Sequence, residues 1–153
     1  YLGSHRGKRI GQEVADEYNK RFDVNMQGED CGSEKSIIRI LEISDVVMGT
    51  AKAGIQILSQ AQLKKAARMA VAADLNAVPP LGIEGVDVND MGKALKFTPK
   101  KAVGIGALAI GNIKYKVHYR MFELMMTTIK PLYLDHVQAF EAAREFAAQN
   151  AAR

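Results

Sequence analysis

The feature that most constrains this chain is the alternation of short, continuous apolar runs with longer stretches of helical spacing. Asp45-Val46-Val47-Met48 and Met69-Ala70-Val71-Ala72-Ala73 are runs of strand length, closed by Gly49 and by Asp74. A strand that is apolar on both faces must be covered on both, as in a parallel sheet with crossover helices. Around these runs lie segments with apolar residues three and four apart. Gly7 to Arg21 carries Ile10, Val14 and Tyr18, and the segment from Ser33 through Leu41 carries Ile37, Ile38, Ile40 and Leu41 behind a serine N-cap. Tyr1 to Ser4 reads as the end of a strand, Val24-Asn25-Met26 as a short second one, and Ser59 to Ala67 as a helix capped by Ser59. The order βαβαβαβ predicts an α/β fold, with right-handed crossovers making a doubly wound parallel sheet.

Further along, Ala77-Val78-Pro79-Pro80-Leu81-Gly82-Ile83 is a loop stiffened by consecutive prolines. Lys93 to Lys101 reads as a surface excursion, followed by the glycine-spaced apolar run Val103 to Leu108. A helix is expected from Asn112 to about Thr128, with Met121, Met125 and Met126 in the core, and a last helix from Asp135 to about Ala148 burying Val137, Phe140 and Phe146. A first strand with no glycine turn before it predicts a Rossmann-like dinucleotide-binding domain lacking its first βα unit. Gly104-Ile105-Gly106 is a poor substitute, since it comes late and has no third glycine at the required spacing. The expected division is 1–110, a partial dinucleotide-binding domain, and 111–153, C-terminal helices.

Composition narrows the chemistry. At 153 residues and 48% hydrophobic the chain suits one ordinary core. The 21 Lys+Arg against 17 Asp+Glu leave a net charge of +4 spread along the chain, which argues against nucleic acid and suits small anionic ligands. One cysteine, Cys31, and three scattered histidines offer neither a disulfide nor a metal site. No apolar run approaches the roughly 20 residues that span a bilayer. The opening is not that of a signal peptide, and a cytoplasmic protein is expected.

Four places carry polar groups where a ligand would meet them. Ser4-His5-Arg6 lies between a strand and a helix, where a dinucleotide fold meets the adenosine ribose; a guanidinium there offers donors to a 2′-phosphate and favours NADP over NAD. The alternative is a solvated basic turn or a tag remnant, with Lys8 and Arg9 as further solvated charge. Gly49-Thr50-Ala51 opens a turn that either presents backbone N–H groups to a cofactor or is an ordinary βα turn. Asp74 and Asn76, at a strand end before the two prolines, either form a site wall or satisfy their own loop by Asx bonds. Lys114 stands in the first turn of the helix expected from Asn112, against the dipole, or else simply reaches solvent. His118, Arg120, His136 and Cys31 show no triad spacing and read as structural or surface residues.

Several segments together resemble one family, the NAD(P)-dependent methylene-tetrahydromethanopterin dehydrogenases of bacterial one-carbon metabolism. They are Lys20-Arg21-Phe22, the stretch Ala73-Asp74-Leu75-Asn76-Ala77-Val78-Pro79-Pro80-Leu81-Gly82-Ile83, Gly85-Val86-Asp87-Val88-Asn89, and Val103 through Gly111-Asn112-Ile113-Lys114-Tyr115. The resemblance covers nearly all of this chain and about the C-terminal half of the family's chain. It implies hydride transfer from methylene-tetrahydromethanopterin to NADP or NAD, as a step of formaldehyde oxidation, with the pterin between two domains. Lys114 then resembles the active-site lysine, Arg6 falls where cofactors are chosen, and Asp74, Asn76 and Gly49 to Ala51 resemble cofactor-facing loops. A homo-oligomer is expected, and no metal. The same chemistry on methylene-tetrahydrofolate, or an NADP-binding fragment without turnover, are the competing expectations.

Overall fold

The structure, a computed structural model, describes residues 1–151 as a chain of six strands and five helices. Strand β1 (Leu2–Ser4) runs into helix α1 (Lys8–Phe22) and returns as β2 (Gly28–Asp30), parallel to β1 with Ser4 opposite Asp30. The chain can turn this tightly because α1 lies almost on the strand: a Cβ on Gly28 would run into the backbone of Gln12. Val24–Met26 is therefore not the second strand. Asn19 holds that stretch as a loop, its amide bonding both the N–H (2.6 Å) and the carbonyl (2.9 Å) of Met26. The strand falls instead on Gly28-Glu29-Asp30, where polar side chains hid it from an apolar pattern.

Helix α2 (Glu34–Ile43) starts as expected at Ser33, whose hydroxyl accepts from the N–H of Ser36. It buries Leu41 and leads to β3 (Val46–Gly49). Ser59 and Gln62 form a reciprocal capping box on α3 (Gln60–Leu63), a single turn that is shorter than the expected helix. Strand β4 (Val71–Asp74) pairs parallel with β3, and β6 (Val103–Ile105) parallel with β4. Overlapping the start of the expected lysine-rich excursion is β5 (Met91–Ala94), an antiparallel edge strand on β6. It needs no apolar face because all four residues are exposed. Thr98 closes this hairpin by donating to the Leu95 carbonyl and accepting from the Ala102 N–H.

The α/β class and the parallel pairing hold, but the strands form two sheets, β1-β2 and β3-β4-β6-β5, rather than one. The core lies on one face of the larger sheet, where Leu41, Leu58, Leu63, Met69, Ala72, Ile83, Val86 and Leu95 pack together. On β3 the alternation places Val46 and Met48 outward, each 60% exposed.

Helix α4 (Ala107–Thr127) begins five residues before Asn112 and packs against α5 (His136–Ala151). The buried residues on the two helices are small, Ala109 and Val117 on α4 and Ala142 on α5. Of the three methionines expected in the core, Met126 is 87% exposed, Met125 is exposed as well, and Met121 is half-buried. Val137 and Phe140 of α5 are also exposed, and Phe146 is half-buried. On these two helices apolar spacing marks a surface, not the interior. Phe22 of α1 meets His136 edge to face, 5.5 Å between ring centres.

Candidate functional site

Strands β1, β3 and β4 end in loops, and the polar residues singled out in the sequence, Lys114 apart, sit at those ends. After β1, the turn is held by Ser4: its hydroxyl accepts the Arg6 N–H (3.2 Å) and its carbonyl accepts the Cys31 N–H (2.9 Å). Gly7, at φ 94°, lets the chain turn into α1. His5 and Arg6 are exposed. Of the three basic residues here, Lys8 faces Glu29 at 3.8 Å and Arg9 pairs with Glu13, whereas Arg6 has no ion pair among the described residues. Glu29 is itself buried and bound by Arg39 at 2.7 Å. Nearby, burial pushes the Cys31 thiol above its ordinary pKa, and the carboxylates of Asp30 and Glu29 push the same way against Arg39. That thiol is held as a neutral, weakly nucleophilic group.

The loops after β3 and β4 are laced together. Asp74 is 2% exposed, and its two oxygens accept the N–H groups of Asn76 (3.0 Å) and Ile83 (2.9 Å). It is crowded by design of the backbone around it: a Cβ on Gly82 would lie 2.7 Å from Asp74 Oδ1, and one on Gly49 3.1 Å. Asn76 accepts from Val78 (2.9 Å) and from Gly54 across the loops (3.2 Å), and donates to the Pro80 carbonyl (2.9 Å). Two Asx bonds in succession, with cross-loop contacts added, hold the Pro79-Pro80 segment against the turn from Gly49 to Gly54. Between those ends Thr50, Ala51, Lys52 and Ala53 are exposed. Gly54, Gly82 and Ile83 were not singled out as partners, because a backbone group brought in from another loop leaves no mark in local sequence.

Lys114 is placed differently from the sequence expectation. It lies two turns into α4, so an unfavourable end-of-helix dipole does not act on it. It is exposed and forms no ion pair among the described residues. The start of α4 is closed by backbone: Gly106 donates to the Asp90 carbonyl (2.7 Å) and Leu108 to that of Val88 (2.8 Å). Gly104-Ile105-Gly106 is therefore β-strand and helix entry rather than a phosphate-binding turn. The described residues contain no group of side chains that could hold a metal ion, and no helix long and apolar enough to cross a membrane.

No family model matches the chain. Among curated proteins, 146 of its residues, 95% of the chain, align at 37% identity with the NAD(P)-dependent methylenetetrahydromethanopterin dehydrogenase of Methylorubrum extorquens. The chain is similar to that dehydrogenase almost throughout. A second relative from the same organism, bifunctional protein MdtA, is 32% identical over 136 residues, or 89% of the chain. The chain spans about half the length of these relatives, 48% of the first and 46% of the second. The resemblance read from the quoted segments thus agrees with the alignment in both identity and extent.

Proposed function

We propose that this chain is the dinucleotide-binding part of a cytoplasmic NAD(P)-dependent dehydrogenase that oxidises methylene-tetrahydromethanopterin to methenyl-tetrahydromethanopterin in one-carbon metabolism. The observation that carries this reading is the 37% identity over 95% of the chain to an enzyme named for that reaction. The local chemistry supports it. Residues 1–110 contribute the strand-end loops, and 111–153 the helices that link them to a pterin-binding remainder, with 152 and 153 lying outside the described residues. The free edges of β1 and β3 are where a further parallel strand would join the two sheets into one.

The residues present fit a dinucleotide phosphate. Arg6 is an exposed, uncommitted guanidinium following a parallel strand, and Ser4 orients its backbone. In this reading Arg6 receives the 2′-phosphate, with Ser4 and His5 beside the ribose, while Gly49, Thr50 and Ala51 face the rest of the ligand from a turn that Asp74 and Asn76 brace from behind. The nicotinamide, when bound, supplies the hydride acceptor. Lys114 lies beside the pterin in this reading, where it positions the substrate for transfer of the hydride. No metal takes part, and the exposed apolar surface of α4 and α5 supports a homo-oligomer.

The test is the absorbance of reduced nicotinamide on mixing the protein with methylene-tetrahydromethanopterin and NADP, with NAD and with methylene-tetrahydrofolate in parallel. A rise with the methanopterin substrate is expected. A rise only with the folate would reassign the substrate, and NADP binding without turnover would reduce the chain to a cofactor-binding fragment. Arg6→Asp is expected to weaken NADP by about 1–3 kcal/mol while sparing NAD. Equal loss of both cofactors, measured by titration, would remove Arg6 from the 2′-phosphate.

A further inference from the structure

We propose that Asn76 is a positioning residue: its carboxamide sets the turn after β3 against the loop after β4, and so governs dinucleotide affinity without touching the ligand. The inference rests on the dinucleotide reading above and adds to it a role that no direct contact explains. Asn76 is 5% exposed. Both acceptor positions of its Oδ1 are taken, by Gly54 N–H at 3.2 Å and Val78 N–H at 2.9 Å, and its Nδ2 donates to the Pro80 carbonyl at 2.9 Å. A buried amide so occupied has no acceptor left for a ribose hydroxyl. Its bond to Gly54 spans 22 residues and joins two loops that follow neighbouring parallel strands.

The joined turn is anchored at both ends. Gly49 belongs to β3 and its carbonyl accepts the Leu75 N–H (3.0 Å), while Gly54, at φ 76°, is tied by Asn76. The four residues between stay exposed. A short exposed turn with both ends held has little conformational freedom to lose on meeting a ligand, which is how preorganisation raises affinity. Asp74 does a different job nearby: it accepts the N–H groups of Ile83 and of Asn76 but not that of Gly54, which the Asn76 carboxamide takes. That separation makes the role of Asn76 measurable.

The experiment combines amide hydrogen exchange with NADPH titration by fluorescence, on the whole chain and on Asn76→Ala and Asn76→Asp. In Asn76→Ala the amides of Gly54 and Val78 are expected to exchange at least about tenfold faster with Ile83 unchanged, because only partially local opening is needed there. NADPH binding is expected to weaken about tenfold in the same variant. Asn76→Asp keeps an acceptor for both N–H groups but loses the donor to the Pro80 carbonyl, so it should restore part of their protection. Faster exchange at Ile83 in step with Gly54 would show a merely structural residue and overturn the proposal, as would unchanged NADPH affinity with Gly54 released. Failure of the unsubstituted chain to bind NADPH would overturn the dinucleotide reading itself, while the exchange at Gly54 would still report the link between the loops.

Discussion

The loops at the ends of β3 and β4 and the helix pair α4–α5 are built on opposite principles. In the loops, buried polar groups each find a partner: Asp74 and Asn76 bind five backbone groups between them, and no buried side-chain polar atom is left without a partner among the described residues. In the helix pair, apolar side chains are left in the open. Tyr115, Tyr119, Phe122 and Met126 follow one another at spacings of four, three and four on α4, with exposures from 58% to 87%. A stripe at that spacing is one face of a helix, and its exposure separates patterning from burial. The two regions thus draw stability from different places: the loops from bonds among their own residues, the helices from little more than the α4–α5 seam.

The largest effect should come from the core. Leu63 is fully buried, so Leu63→Ala should destabilise the protein by about 2–5 kcal/mol, whereas Phe122→Ala, on the open stripe, should stay within about 0.5 kcal/mol. Thermal or denaturant melts of the two variants check this. Equal losses would mean that the stripe is covered and that the comparison is drawn in the wrong place.

Turnover should part the regions the other way. Lys114 is exposed and forms no ion pair among the described residues, so Lys114→Ala should leave the melt unchanged yet cut kcat by about 100-fold, the scale on which a misplaced substrate slows a reaction. Steady-state assays with the pterin substrate and NADP decide it; unchanged kcat would take Lys114 out of the site.

How much of this was legible beforehand follows the same division. Ser33 and Ser59 were readable as caps, and β3 and β4 as strands, because their signals are local: a hydroxyl before a helix, an apolar run before Gly49 or Asp74. Strand β2 was displaced by a few residues because Glu29 satisfies its charge with Arg39, ten positions away, and so stands in a strand without looking like one. The exposed β5 and the uncovered Met126 went the other way, since sequence reports apolarity and spacing but not whether a neighbour exists. At the site, the choice between cofactor wall and Asx loop at Asp74 and Asn76 stayed open because it depends on Gly54 and Ile83, which arrive from other parts of the chain.

A smaller effect probes the lacing itself. Asp74→Asn puts an amide NH2 where a carboxylate oxygen accepts the N–H of Asn76 or Ile83, so one buried donor loses its partner. That should cost about 1–3 kcal/mol in a melt, offset in part by relief of a buried charge. No loss would show that these backbone groups are satisfied in another way.

The smallest effect is a pH dependence beside β1 and β2. Because burial and the carboxylates of Asp30 and Glu29 raise the pKa of Cys31, the folded chain holds the thiol proton more tightly than the unfolded chain does. The stabilising contribution is therefore complete below the ordinary thiol pKa and is lost as pH rises above it toward the raised folded value. Alkylation by iodoacetamide at neutral pH should be slower than for a small free thiol and should accelerate only at alkaline pH, where a Cys31→Ala variant loses less stability than the parent chain. A fast reaction at neutral pH would mean that the Arg39 guanidinium outweighs burial and the two carboxylates, and that the end of the smaller sheet is electropositive enough to hold an anion without Arg6.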